Sequence, residues 1–313
     1  MLGKTAGGLY WMFRYLERSE NTARMIEAGQ RIALTRTGGD EEWTSILQTS
    51  GVLPGYLAAY EGEVSRDTAI DWMLRDKDNP SSVLSVIEAA RNNAKTVRTA
   101  LTREVWEGVN ECWMSLKTQL ARKIAERDLP EVLQTIRQRS AFVRGALHGT
   151  MLRNDIYNFS RIGTFVERAD NTARILDAKY HVLLPSATAM GSSLDNVQWQ
   201  SILRSVSAEG GFQMAYGSDP RPREIAQFLI LDRRMPRSLA SCTDKIRSNL
   251  GHLTGDYGTR LPCHDLVDRL ALKSMQRNVD EIFDNGLHEF IQEFLEDLAA
   301  VGAQIEIDYR FYQ

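Results

Sequence analysis

The sequence predicts an all-α fold, an internally duplicated multi-helix bundle with pseudo-twofold symmetry. Three observations carry this reading. Apolar residues recur at helical spacing through the long segments, no stretch combines period-two alternation with β-branched enrichment, and an 18-residue motif occurs twice. At 313 residues the chain has the length of about two average domains.

Taken in order, residues 6–36 predict a first long helix, with Trp11, Tyr15, Leu16 and Ile26 on its core-facing arc. VLSVIEAARNNAKTVRTAL follows Pro80 and SLASCTDKIRSNLGHL follows Pro236, prolines that suit a first helical turn. Between them, EVWEGVNECWMSLKTQLARKIAE, LPEVLQTIRQRSAFVRGALHG and a second long helix over residues 152–184 are expected. PSATAMGSSLDN reads as a loop, and Gly210-Gly211 and Gly38-Gly39 read as helix-ending pairs. The last helical stretch, DEIFDNGLHEFIQEFLEDLAAVGAQIEIDYRF, carries a possible break at Gly286. Antiparallel packing of the long helices is the expected architecture, with Trp43 and Trp199 as core anchors.

The duplication is the most informative feature. Glu17 to Leu34 matches Glu167 to Leu184 at 8 of 18 positions, where chance gives about one. Farther along the offset grows from 150 to 156: Trp43, Tyr60, Pro80, Ser82, Arg91 and Asn93 answer Trp199, Tyr216, Pro236, Ser238, Arg247 and Asn249. An insertion between Leu184 and Trp199 accounts for the step. The expected organisation is two helical units, 1–150 and 151–313, sharing one core.

On a helical projection the repeated segment carries a polar stripe of Arg14, Glu17, Glu20, Asn21, Arg24 and Glu27. Glu167, Asp170, Asn171, Arg174 and Asp177 repeat it. Arg18 and Arg168 instead fall at the edge of the apolar arc, where an unpaired guanidinium is costly. The two repeated helices are therefore expected to pack together, with Arg18 near Glu167 and Arg168 near Glu17. A cleft so lined suits a carboxylate, phosphate or peptide terminus. Glu17 and Glu167 are its candidate acid/base or amine-binding groups. Arg18, Arg24, Arg168 and Arg174 are candidate carboxylate clamps, beside Glu20, Asn21, Asp170 and Asn171. A purely structural network of ion pairs is the competing reading.

Composition narrows the classes. With 43% hydrophobic and 25% charged residues the chain is neither disordered nor collagenous. A net charge of −3 and a pI near 6.0 argue against general attraction to nucleic acid or anionic membranes. No run approaches the ~20 apolar residues of a membrane helix. Arg14, Glu17 and Arg18 arrive too early for a signal core, so a cytoplasmic location is expected. Cys112, Cys242 and Cys263 form no CxxC pair, and no phosphate-binding glycine loop, HExxH or Glu-x-x-His motif occurs; no metal or cofactor is expected. Asp177 and His181, one turn apart, are a weak exception. Cys263-His264-Asp265 reads as a loop leading into a helix. The run Arg221, Arg223, Arg233, Arg234 and Arg237 reads as a solvated edge neutralised by Asp219, Glu224 and Asp232.

LYWMFRYLERSENTARMIE and FSRIGTFVERADNTARILD resemble the two signature segments of the Alpha-E domain family, a bacterial helical domain named for its Glu-Arg motif. The resemblance extends over the whole chain, including REVWEGVN. The family pattern has Gly-Arg three residues ahead of Glu-Arg; this chain has Phe13-Arg14 and Gly163-Thr164, each keeping one half. The resemblance implies neighbouring genes for circularly permuted ATP-grasp proteins, transglutaminase-like proteases and a proteasome-like peptidase. The expected function is an accessory or substrate-handling protein of an ATP-grasp-linked peptide synthesis or modification system. The alternatives are a non-catalytic helical scaffold and a stand-alone amide-forming or hydrolytic enzyme.

Overall fold

The computed structural model describes residues 1–33, 41–182, 193–218 and 221–312, with side chains excepted at 32, 33, 41, 178–182, 193–198 and 275–276. The described residues hold fifteen α-helices and no strand. In the first part of the chain these are α1 (Gly3–Ala33), α2 (Glu41–Thr49), α3 (Leu53–Ala59), α4 (Arg66–Leu74) and α5 (Val83–Thr96). Then come α6 (Arg103–Gln119), α7 (Leu129–Thr150), α8 (Asp155–Val182), α9 (Ser193–Ser205) and α10 (Glu209–Tyr216). The last are α11 (Pro222–Ile230), α12 (Leu239–Tyr257), α13 (Pro262–Gln276), α14 (Val279–Asn285) and α15 (Leu287–Asp308). The all-α expectation holds.

Side-chain caps set several helix starts. Ser65, Ser82 and Ser238 accept from the backbone N–H three residues on, at 3.3, 3.3 and 3.0 Å, satisfying a donor the helix cannot. Pro80 and Pro236 thus stand two residues ahead of the capping serines rather than inside the first turn. At Gly286, where φ is +100°, the last stretch breaks into α14 and α15 as the sequence suggested. Gly210-Gly211 lies inside the first turn of α10, not at a helix end. Gly38-Gly39 and residues 34–36 and 183–192 of the expected helices and loop lie outside the described residues. The final four residues of PSATAMGSSLDN begin α9.

The centre of the molecule is the pair α1 and α8, each helix packing more extensively on the other than on any other neighbour. On α1 lie α5 and α7; on α8 lie α12 and α15. Met1 lies beside Asp155, Tyr10 beside Gly163 and Arg18 beside Glu167, so contacts advance together along both chains. The central pair is therefore parallel, unlike the antiparallel packing expected. Long connections through α2–α7 make this possible. The helices approach closely at Gly163, where a Cβ would stand 2.2 Å from the Tyr10 carbonyl oxygen. Only a residue without a side chain lets the backbones meet there.

Around this pair the apolar core is continuous, and Trp43 and Trp199 are buried in it. After α2 the chain turns through Gly51 at φ +70°, and after α9 through Ser207 at φ +52°. The bonds match: Gly51 N–H to Gln48 O and Val52 N–H to Leu47 O, against Ser207 N–H to Arg204 O and Ala208 N–H to Leu203 O. These are left-handed helix-ending turns.

Candidate functional site

Each Glu-Arg dipeptide reaches across to the other. Arg18 donates from Nε and Nη2 to the two oxygens of Glu167 at 2.5 and 3.0 Å. Arg168 does the same to Glu17 at 2.8 and 3.0 Å. The pairing expected from their position on the helix is present. Side-on forks of this kind are the strongest ion-pair geometry available to a carboxylate.

The network is larger than the two pairs. Arg14, from the preceding turn of α1, donates to Glu167 at 2.9 Å. Arg144 of α7 donates to Glu17 at 3.2 Å and is ion-paired with Glu20. Arg237, just ahead of α12, donates to Glu17 at 3.0 Å, Asn21 Oδ1 at 3.2 Å and Glu20 at 2.9 Å. Arg24 closes on Glu20 at 2.6 Å and also bonds Ser207 Oγ. The polar stripe of α1 is thus not a solvated face: Glu17 is 0% exposed and Glu20 1%.

Three of these groups went unrecognised as site members from sequence. Arg14 was visible only as part of the stripe, and Arg144 gave no signal. The sequence places Arg237 with its neighbours on a solvated edge, yet it is buried. The proline two residues before the α12 cap turns the chain inward, and two buried carboxylates draw the guanidinium with it. Arg233 and Arg234 of the same run are exposed, as expected.

Burial pushes every buried carboxyl up, and the arginines here outweigh it. Arg18 and Arg14 hold Glu167 at about 2 despite its burial. Arg168, Arg237 and Arg144 likewise hold Glu17 well below the usual carboxylate range. Burial also acts on Arg237, bringing its guanidinium down to about 10. Both acids are fixed as carboxylates whose oxygens are all engaged. A general base instead needs a lone pair turned to substrate and an affinity for protons near the working pH.

Asp170 and Arg174 stand apart from the network, paired with each other at 2.8 and 3.2 Å on a half-exposed rim. Arg18, Asn21, Ser50, Ser81, Asn171 and Arg174 are among the residues around a cavity of about 250 Å³ beside the network. Among the described residues no group of His, Cys, Asp and Glu is placed to hold a metal. Asp177 bonds His288 and Gln292 at 2.6 and 2.8 Å, and the His181 side chain lies outside the described residues. Cys263, His264 and Asp265 form the first turn of α13 rather than a loop, with the thiol buried and pushed up by that burial. No helix among the described residues is long and apolar enough to cross a membrane.

Comparison with known proteins points the same way. An uncharacterised protein of Mycobacterium bovis and two of Mycobacterium tuberculosis are each 23% identical to this chain over 95% of its length. The match covers 35% of each relative, so the chain spans about a third of the curated relatives it matches. No solved structure matches. The family model described as a predicted alpha-helical domain with a conserved ER motif matches residues 1–309. The chain, in which two Glu-Arg dipeptides join α1 to α8, belongs to the Alpha-E family.

Proposed function

We propose that the chain is a non-catalytic helical scaffold for protein assembly, with the Glu-Arg network as its internal clasp. The observation that carries this is the complete engagement of the Glu17 and Glu167 oxygens by arginine. Such a network fixes which helices meet rather than turning over a substrate. The curated relatives, in which the matching stretch is about a third of a longer chain, support a unit that works beside others. In this reading residues 1–150 and 151–313 are fused copies of one helical unit, related by a pseudo-twofold. The reciprocal clasp and the matched turns at Gly51 and Ser207 support that origin.

ATP-grasp and transglutaminase-like proteins are the proposed partners, on the gene neighbourhood that family resemblance implies, and the cytoplasm is the proposed location. The accessory role in peptide modification is then one of assembly. The test is co-expression with a neighbouring ATP-grasp protein, comparing wild type with Arg168→Lys, which keeps a charge at the clasp. A folded variant that still assembles should leave the partner's product yield unchanged. Loss of product from an intact complex would replace the scaffold by a catalytic reading.

A further inference from the structure

The cavity beside the clasp is lined by polar side-chain groups that lack a partner among the described residues. Asn21 is 4% exposed, and its Oδ1 accepts from Arg237 at 3.2 Å. A guanidinium only donates, so this bond fixes the amide and leaves Nδ2 on the other side, where it has no partner among the described residues. Asn21 borders the cavity, and so do Asn171 and Ser50, whose Nδ2 and Oγ are also buried without partners. Arg18 and Arg174 reach the same wall. Each is held to a carboxylate through Nε and Nη2, leaving Nη1 without a hydrogen bond among the described residues. A buried polar group left unpaired is costly, so a cluster of them asks for a complement.

A comparison within the molecule accounts for the opening. Ser81 and Arg237 each stand one residue before a capping serine, Ser82 of α5 and Ser238 of α12. Arg237 fills the space against Glu17, Glu20 and Asn21. Ser81 is far shorter, and the cavity lies between it and Glu167, Asp170 and Asn171. In the lining Arg18 and Arg174 already match the two acids, and Arg14, which bonds Glu167 from outside it, adds one positive charge in excess. The two amide Nδ2 groups and the two Nη1 groups only donate and the Ser50 hydroxyl can donate, so the complement is an anion with acceptor oxygens rather than a second guanidinium. A monoanion balances the charge, whereas a phosphate dianion would press against two carboxylates. About 250 Å³ is the share of on the order of eight waters, room for an amino acid or dipeptide.

We propose that this cavity binds the carboxylate of a small molecule of amino-acid to dipeptide size, through Asn21, Asn171, Ser50 and the free Nη1 groups of Arg18 and Arg174. This adds a ligand to the scaffold and does not depend on that reading. The experiment is calorimetric and NMR titration of the whole chain with glycine, glycylglycine, glycylglycine amide and inorganic phosphate. Binding of glycine or glycylglycine is expected, with the stronger of the two distinguishing a free amino acid from a peptide end. The amide should bind at least tenfold more weakly than glycylglycine. Asn21→Asp keeps the acceptor for Arg237 but turns the empty donor into an acceptor, and should weaken binding at least tenfold. Arg174→Gln, on the half-exposed rim, should do the same and decides the matter if Asn21→Asp does not fold. Equal binding of acid and amide, binding of phosphate alone, undiminished binding by Arg174→Gln, or no binding of any probe overturns the proposal.

Discussion

Arg168 grips Glu17 side-on at 2.8 and 3.0 Å across 151 residues of sequence, in a site where the glutamate has no solvent exposure. Arg18 and Glu167 meet in the same fashion. Two adjacent residue pairs on parallel helices thus exchange partners. Each acid draws further arginines from its surroundings, so removing a carboxylate strands more charge than removing any one cation.

Unfolding in urea should rank the variants accordingly. Glu17→Gln leaves Arg168 unmatched and weakens the hold on Arg144 and Arg237, and should cost about 4 kcal/mol. Arg168→Met leaves Glu17 with two arginines and should cost about 2 kcal/mol. A larger loss for Arg168→Met than for Glu17→Gln would contradict the network drawn here.

Acid should loosen the molecule in a defined window. Glu167, held at about 2 when folded against an ordinary 4.5, binds a proton more readily once unfolded. Its contribution is complete above about pH 4.5 and fades as the pH falls toward 2. The direction for Glu17 is the same. The urea midpoint should drop steeply below pH 4.5, with a change of about 3 kcal/mol attributable to Glu167. Glu167→Gln should flatten that slope while lowering stability at neutral pH.

Gly163→Ala should force α1 and α8 apart, because its Cβ would meet the Tyr10 carbonyl, which cannot rotate away. We expect a loss of about 3 kcal/mol, the upper range for overpacking. Gly145→Ala, in α7 with nothing within 4 Å of the new Cβ, is the control. It should stabilise by about 0.5–1 kcal/mol through helix propensity alone. Thermal melts of the two variants check both expectations.

Much of the clasp was legible because helical periodicity is local. The spacing of Glu17, Asn21 and Arg24 fixes one face, and Arg18 falls off it by one residue, which already demands a partner elsewhere. The Glu167 partner followed from the repeat. Arg144 and Arg237 were not legible, since nothing near them in sequence records that they approach α1. The parallel course of α1 and α8 was hidden for the same reason: direction depends on the long connections, not on the helices joined. Those extra arginines also decide how the clasp answers a charge swap. An arginine placed at 167 would meet Arg14, so Arg18→Glu with Glu167→Arg should recover little.

Arg237 lies 220 residues after Glu17 in the chain. At about 5–20 residues per second of synthesis, α1 leaves the ribosome some 10–40 s before its last counter-charge is made. For that interval the acids of the first helix must stay hydrated, and the helix cannot take its final surroundings. The nascent first half is then the period of greatest exposure to chaperones and proteases, and closure waits for the second half to arrive.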